Sequence, residues 1–60
     1  MKVRDVLKLL RADGWAQVRQ KGSHRQLKHP LKRGLVTVAG HPNRDMARGT
    51  LASVYRQGKL

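Results

Sequence analysis

The sequence predicts a two-layer α+β domain: a helix, three antiparallel strands forming one sheet, and a second helix, with both helices on one face. Three observations predict it. Apolar residues at helical spacing open the chain. Runs rich in β-forming residues, punctuated by glycine and proline, occupy its middle. A second apolar stripe at helical spacing closes it. Sixty residues leave room for one domain, residues 1–60.

Residues 2–13 read as the first helix. Val3, Val6, Leu7 and Leu10 fall at i, i+3, i+4 and i+7, the stripe of an amphipathic helix. Arg4, Lys8 and Arg11 fall on a different face, which must be solvated or turned to a ligand. Gly14 is placed to end the helix in a left-handed cap. Residues 15–28 read as a hairpin, with strands over 15–20 and 24–28 and a turn at Lys21-Gly22-Ser23, where Gly22 most easily takes positive φ. In the return strand, alternation puts His24, Gln26 and Lys28 on one face and Arg25, Leu27 and His29 on the other.

Pro30 cannot donate to a ladder and opens the next break. Residues 31–34 form a turn, and 35–39 are the clearest strand signal in the chain. Residues 40–43 read as a loop. In the final helix Gly49 is an interruption and Thr50 the expected N-cap. Leu51, Val54 and Tyr55 form its apolar stripe, and Gly58 ends it.

Composition then narrows the function. Lysine and arginine number 14 and acidic residues 3, a formal charge of +11. Leucine and valine together make 14 of 60 residues, just enough apolar content for a small core. Such a charge implies a polyanionic partner, nucleic acid before an acidic protein or an anionic membrane surface. Cysteine is absent, which excludes disulfides, thiolate metal sites and a cysteine nucleophile. No apolar run approaches the roughly 20 residues of a membrane span. Segment 6–10 is too short and interrupted for a secretory signal, so the expected location is cytoplasmic.

Few residues can carry chemistry. Asp5, Asp13 and Asp45 are too scattered for a close carboxylate pair. Ser23 and His24 are strand neighbours whose side chains point to opposite faces, so they do not make a nucleophile–base pair. The spacing of His24, His29 and His41 fits no familiar zinc pattern. The histidines remain the only side chains suited to proton transfer near neutral pH. His24 stands where the hairpin turn enters a strand, among Arg19, Lys21, Arg25 and Lys28. A cationic field holds phosphates, and an imidazole within it can take a 2′-hydroxyl proton. The bland alternative is a surface histidine beside an ordinary turn. His29 has a bland reading as a strand-end residue and His41 as a loop residue. Trp15 is expected in the core rather than stacked on a base. Two aromatics, Trp15 and Tyr55, are too few for a single-strand stacking platform.

Lys21-Gly22-Ser23-His24, followed by Leu35-Val36-Thr37-Val38 and Gly49-Thr50-Leu51, resembles the HicA family of toxin messenger-RNA interferases. With the opening helix and Gly14-Trp15, the resemblance runs over essentially the whole chain. It implies a fold similar to a double-stranded RNA-binding domain. It implies a metal-independent, cofactor-free ribonuclease whose essential histidine matches His24, presented by Gly22 and Ser23. It also implies a HicB-type antitoxin that covers the active site. Lys21, Arg19, Arg25 and Lys28 are the candidate RNA contacts. Two departures stand out: Leu27 where many members have an aromatic, and Ala39 where many have proline. The composition also accommodates a non-catalytic RNA-binding module on the same fold, or a basic structural protein. It leaves self-association open.

Overall fold

The computed structural model describes residues 1–60. Helix α1 spans Val3–Asp13, strands β1, β2 and β3 span Ala16–Lys21, His24–Lys28 and Val36–Ala39, and helix α2 spans Arg48–Gly58. The strands form one open sheet in the order β1-β2-β3, each neighbouring pair antiparallel. This is the expected αβββα arrangement.

Helix α1 buries Val3, Val6, Leu7 and Leu10, the predicted stripe. No side chain caps its N-terminus. The Val3 and Arg4 N–H groups instead donate to the carbonyls of Arg44 (2.9 Å) and Pro42 (3.0 Å), so the segment after β3 serves as the cap. A bridge between Lys2 and Asp45 ties the same two stretches together. At the other end Gly14 takes φ +108°. Its N–H donates to the Arg11 carbonyl and that of Trp15 to the Leu10 carbonyl, both at 3.0 Å, the Schellman pattern. The cap delivers Trp15, only 2% exposed, into the core beside Leu10.

The core comprises ten buried apolar residues, drawn from α1, β2, β3, α2, Trp15 and Met46. In β3 Val36 and Val38 point inward and Thr37 and Ala39 outward, and in β2 Leu27 is the buried residue. Strand β1 contributes nothing to the core: all six of its residues are exposed. The sheet therefore has one covered face and one open face.

Helix α2 ends at Gly58 as expected and departs from expectation at its start. It begins at Arg48 after Ala47, so Gly49 lies inside its first turn and Thr50 is not the cap. The buried Met46, whose N–H donates to the Met1 carbonyl at 2.9 Å, sets where the chain leaves the bridge and the helix starts. At the C-terminus the left-handed residue is Lys59, with φ +54°, and Gly58 is the last helical residue. Gly58 is small for a packing reason: a Cβ there would stand 3.0 Å from Leu10 Cδ2.

Candidate functional site

The hairpin between β1 and β2 builds the site. Lys21 pairs with His24, leaving Gly22 and Ser23 as a two-residue turn. Gly22 has φ +58° and Ser23 a negative φ, the sign pattern of a II′ turn, which demands glycine first. The Ser23 carbonyl accepts a hydrogen bond from the Gly40 N–H at 3.2 Å, anchoring the turn to the end of β3. His24 is thereby fixed as the first residue of the central strand. Its side chain is exposed on the open face.

Strand register places its neighbours. His24 lies between Lys21 and Ala39, and the next row along the sheet is Arg19, Gln26 and Thr37. A solvent-open concavity of about 730 Å³ covers these rows, lined by Arg19, Lys21, Gly22, Ser23, His24, Gln26 and Thr37 with no apolar residue. A bulge makes this arrangement possible. Gln17 pairs with Leu27 and Arg19 with Gln26, so Val18 is an extra residue in β1. Simple alternation from Trp15 would send Arg19 to the helix side. The extra residue reverses the phase, and Arg19 and Lys21 join His24 on the open face. Sequence alternation carried no sign of this; the one hint was Val18, whose apolar side chain ends up 57% exposed.

The other two candidate cations are placed differently. Lys28 shares the open face by alternation but pairs with Ala16, one step beyond the concavity. Arg25 faces the helices, where its Nη1 donates to the Gly40 carbonyl at 3.0 Å. It braces the same loop end that holds the Ser23 turn and does not line the concavity. The basic face of α1 lies on the covered side of the sheet, so the structure does not bring it together with His24. Arg4 there donates to Asn43 Oδ1 at 3.1 Å. The one ion pair in the molecule joins Lys32 to Asp13, so Arg19 and Lys21 meet no carboxylate.

The three histidines do not converge. His41 lies in the loop two residues beyond Ala39, exposed, at the His24 end of the sheet. His29 is not the bland strand-end residue its position suggests. Its Nδ1 accepts hydrogen bonds from the N–H groups of Leu31 (3.0 Å) and Lys32 (3.1 Å). That leaves the proton on Nε2, which donates to the Asp13 carbonyl at 2.7 Å. The ring meets Trp15 edge-on, with centroids 5.3 Å apart. Lys32 Nζ reaches the Asp13 carboxylate at 2.5 Å. That hydrogen bond holds the Asp13 carboxyl below its ordinary range, against a smaller opposing effect of burial.

The architecture is thus a small α+β domain whose uncovered sheet face carries an imidazole among unpaired cations. Residues 3–60 match the protein family described as HicA toxin of bacterial toxin-antitoxin. The chain belongs to the HicA toxin family. Among solved structures it is similar to a chain of a toxin-antitoxin complex from Streptococcus pneumoniae, with a TM-score of 0.80 and 28% sequence identity, over 100% of this chain and 98% of that one. No curated protein matches the chain. No helix is long and apolar enough to cross a membrane.

Proposed function

We propose that this toxin is a metal-independent endoribonuclease of messenger RNA, with His24 as its general base. The observation that carries the reading is the exposed His24 imidazole, in register with Lys21 and one row from Arg19 on an otherwise polar open face. Arg19 and Lys21, with Lys28 alongside, hold the RNA backbone. His24 takes the proton of a ribose 2′-hydroxyl, and the resulting oxygen attacks the adjacent phosphorus. The bond from phosphorus to the 5′-oxygen breaks, and that oxygen takes up a proton. The products are a 5′-hydroxyl and a 2′,3′-cyclic phosphate, which a water molecule opens to a 3′-phosphate by breaking the bond from phosphorus to the 2′-oxygen. Lys21 is the cation best placed to stabilise the charge developing on phosphorus. Gly22 and Ser23 present the histidine and keep it off the covered face.

Residues 1–60 act as one domain in the cytoplasm, where messenger RNA is met. The uncompensated charge of the open face suits an acidic protein partner. Together with the solved toxin–antitoxin relative, this supports a HicB-like antitoxin that covers His24. Charge pairing of this kind speeds encounter more than it sets final affinity.

The test is incubation of the purified protein with single-stranded RNA in excess chelator, followed by analysis of product ends. Cleavage leaving 5′-hydroxyl ends is the expected result. If the protein binds RNA but leaves it intact, with or without divalent cations, it is a non-catalytic RNA-binding module.

A further inference from the structure

We propose that Gln26, with Thr37 beside it, reads the base next to the cleaved bond and gives the toxin a preference for adenine there. This rests on the ribonuclease reading above and deepens it. The chain has four glutamines, and three have their amides occupied. Gln17 Nε2 donates to Gln20 Oε1 at 3.2 Å, Gln20 Nε2 to the Gly22 carbonyl at 2.9 Å, and Gln57 Nε2 to Ser53 Oγ at 3.0 Å. Gln26 makes no such bond, although it sits at the centre of the sheet, half-buried, on the central strand. Its amide lines the concavity with donor and acceptor both free.

Position gives that amide a task. Gln26 lies two residues from His24 on the same face, about 6.6 Å along the strand. Arg19 is directly opposite on one side and Thr37 on the other. A ribose held at His24 therefore projects its own base, or that of the neighbouring nucleotide, over the Arg19–Gln26–Thr37 row. Contacts to phosphate carry no sequence information, and Arg19 and Lys21 are engaged there, whereas a group offering a donor and an acceptor discriminates base edges. The lining has no Phe, Tyr, Trp or aliphatic residue, and stacking on the His24 ring or the Arg19 guanidinium tolerates any base, so discrimination falls to hydrogen bonding. A glutamine amide matches the paired donor and acceptor of adenine. The Thr37 hydroxyl adds a rotatable donor and acceptor at the edge of the row.

The experiment maps cleavage sites on an RNA pool of random sequence, by sequencing 5′-hydroxyl ends, for the wild type, Gln26→Ala and Gln26→Glu. The wild type should favour adenine at one position beside the cut by about tenfold, as one good contact allows. Gln26→Ala should flatten that position selectively. Gln26→Glu, an acceptor alone, should move it towards cytosine, whose exocyclic amine donates. Circular dichroism and melting should stay at wild-type values in both variants, because the amide has no internal partner to lose. If the wild type cleaves and all three profiles coincide, the assignment of Gln26 is overturned while the ribonuclease stands. If the wild type does not cleave, the ribonuclease reading fails instead. Binding to adenine, cytosine, guanine and uracil homo-oligonucleotides then decides the Gln26 assignment. An adenine preference lost in Gln26→Ala upholds it, and identical preferences overturn it.

Discussion

Strand β2 begins with one histidine and is followed at its far end by another, and the molecule uses them in opposite ways. Both ring nitrogens of His29 are engaged by backbone groups, and its side chain is 7% exposed. The ring joins the end of α1 to the turn after β2. His24 is exposed, makes no internal hydrogen bond and stands in a row with a lysine. What separates the two rings is whether their nitrogens already have partners inside the fold. The two share residue type and closeness to an end of β2, but His29 lies on the covered side near the Asp13 carboxylate and His24 on the open side beside Lys21.

Exchanging each for alanine tests this contrast most strongly. His24→Ala should lower RNA cleavage by about 10²–10⁴ while changing stability by no more than about 0.5 kcal/mol. His29→Ala should do the reverse. It leaves two backbone N–H groups and the Asp13 carbonyl without their partner, at a cost of about 2 kcal/mol. For a domain of this size that lowers the melting temperature on the order of 10 °C. Cleavage per folded molecule should persist below the transition. Thermal melts and single-turnover cleavage at low temperature check both, and the contrast collapses if His29→Ala melts like the wild type but loses turnover.

Gly14 sharpens the structural half. It combines φ +108° with a close approach, since a Cβ there would lie 2.7 Å from His29 Nε2. Gly14→Ala should cost about 1–2 kcal/mol from the left-handed backbone alone, and more from the contact. In a His29→Ala background the second part vanishes, so the two substitutions should be less than additive. Strict additivity in denaturant melts would mean that the ring and the glycine are independent.

Two smaller effects lie away from both histidines. Gly49 has an ordinary helical φ, and a methyl group added to its Cα would meet nothing within 4 Å. Gly49→Ala should therefore stabilise by about 0.5–1 kcal/mol, read as a raised denaturant midpoint, with cleavage unchanged. Asp13 gives a pH signature. Its folded carboxyl titrates below the ordinary value of 3.8, held there by Lys32. The stabilisation is complete above that value and is lost as pH falls through it towards the folded value. Asp13→Asn should flatten the acid limb of the stability profile below about pH 4. An unchanged acid limb would remove the Asp13–Lys32 contact as its source.

Much of this was legible in the residues. The stripe Val3, Val6, Leu7, Leu10 and the alternation of Val36 and Val38 each bury one side of a local element, and local periodicity needs no knowledge of the partner surface. Gly22 and Gly14 announced their turns because few other residues accept positive φ. The αβββα order, the buried Trp15 and the open-face trio His24, Gln26 and Lys28 follow from the sequence by itself. Tertiary structure decided the rest. The bulge at Val18 arises because β1 must pair with β2 while Trp15 stays in the core, and only that mismatch turns Arg19 and Lys21 towards His24. Arg25 and His29 were assigned by contacts 15 and 16 residues away, with Gly40 and Asp13, which no local pattern encodes. The start of α2 likewise followed from Met46 being pinned to Met1, not from the capping preference of Thr50. Local signals specify which element forms. Where its side chains point is settled by the distant backbone that satisfies their hydrogen bonds.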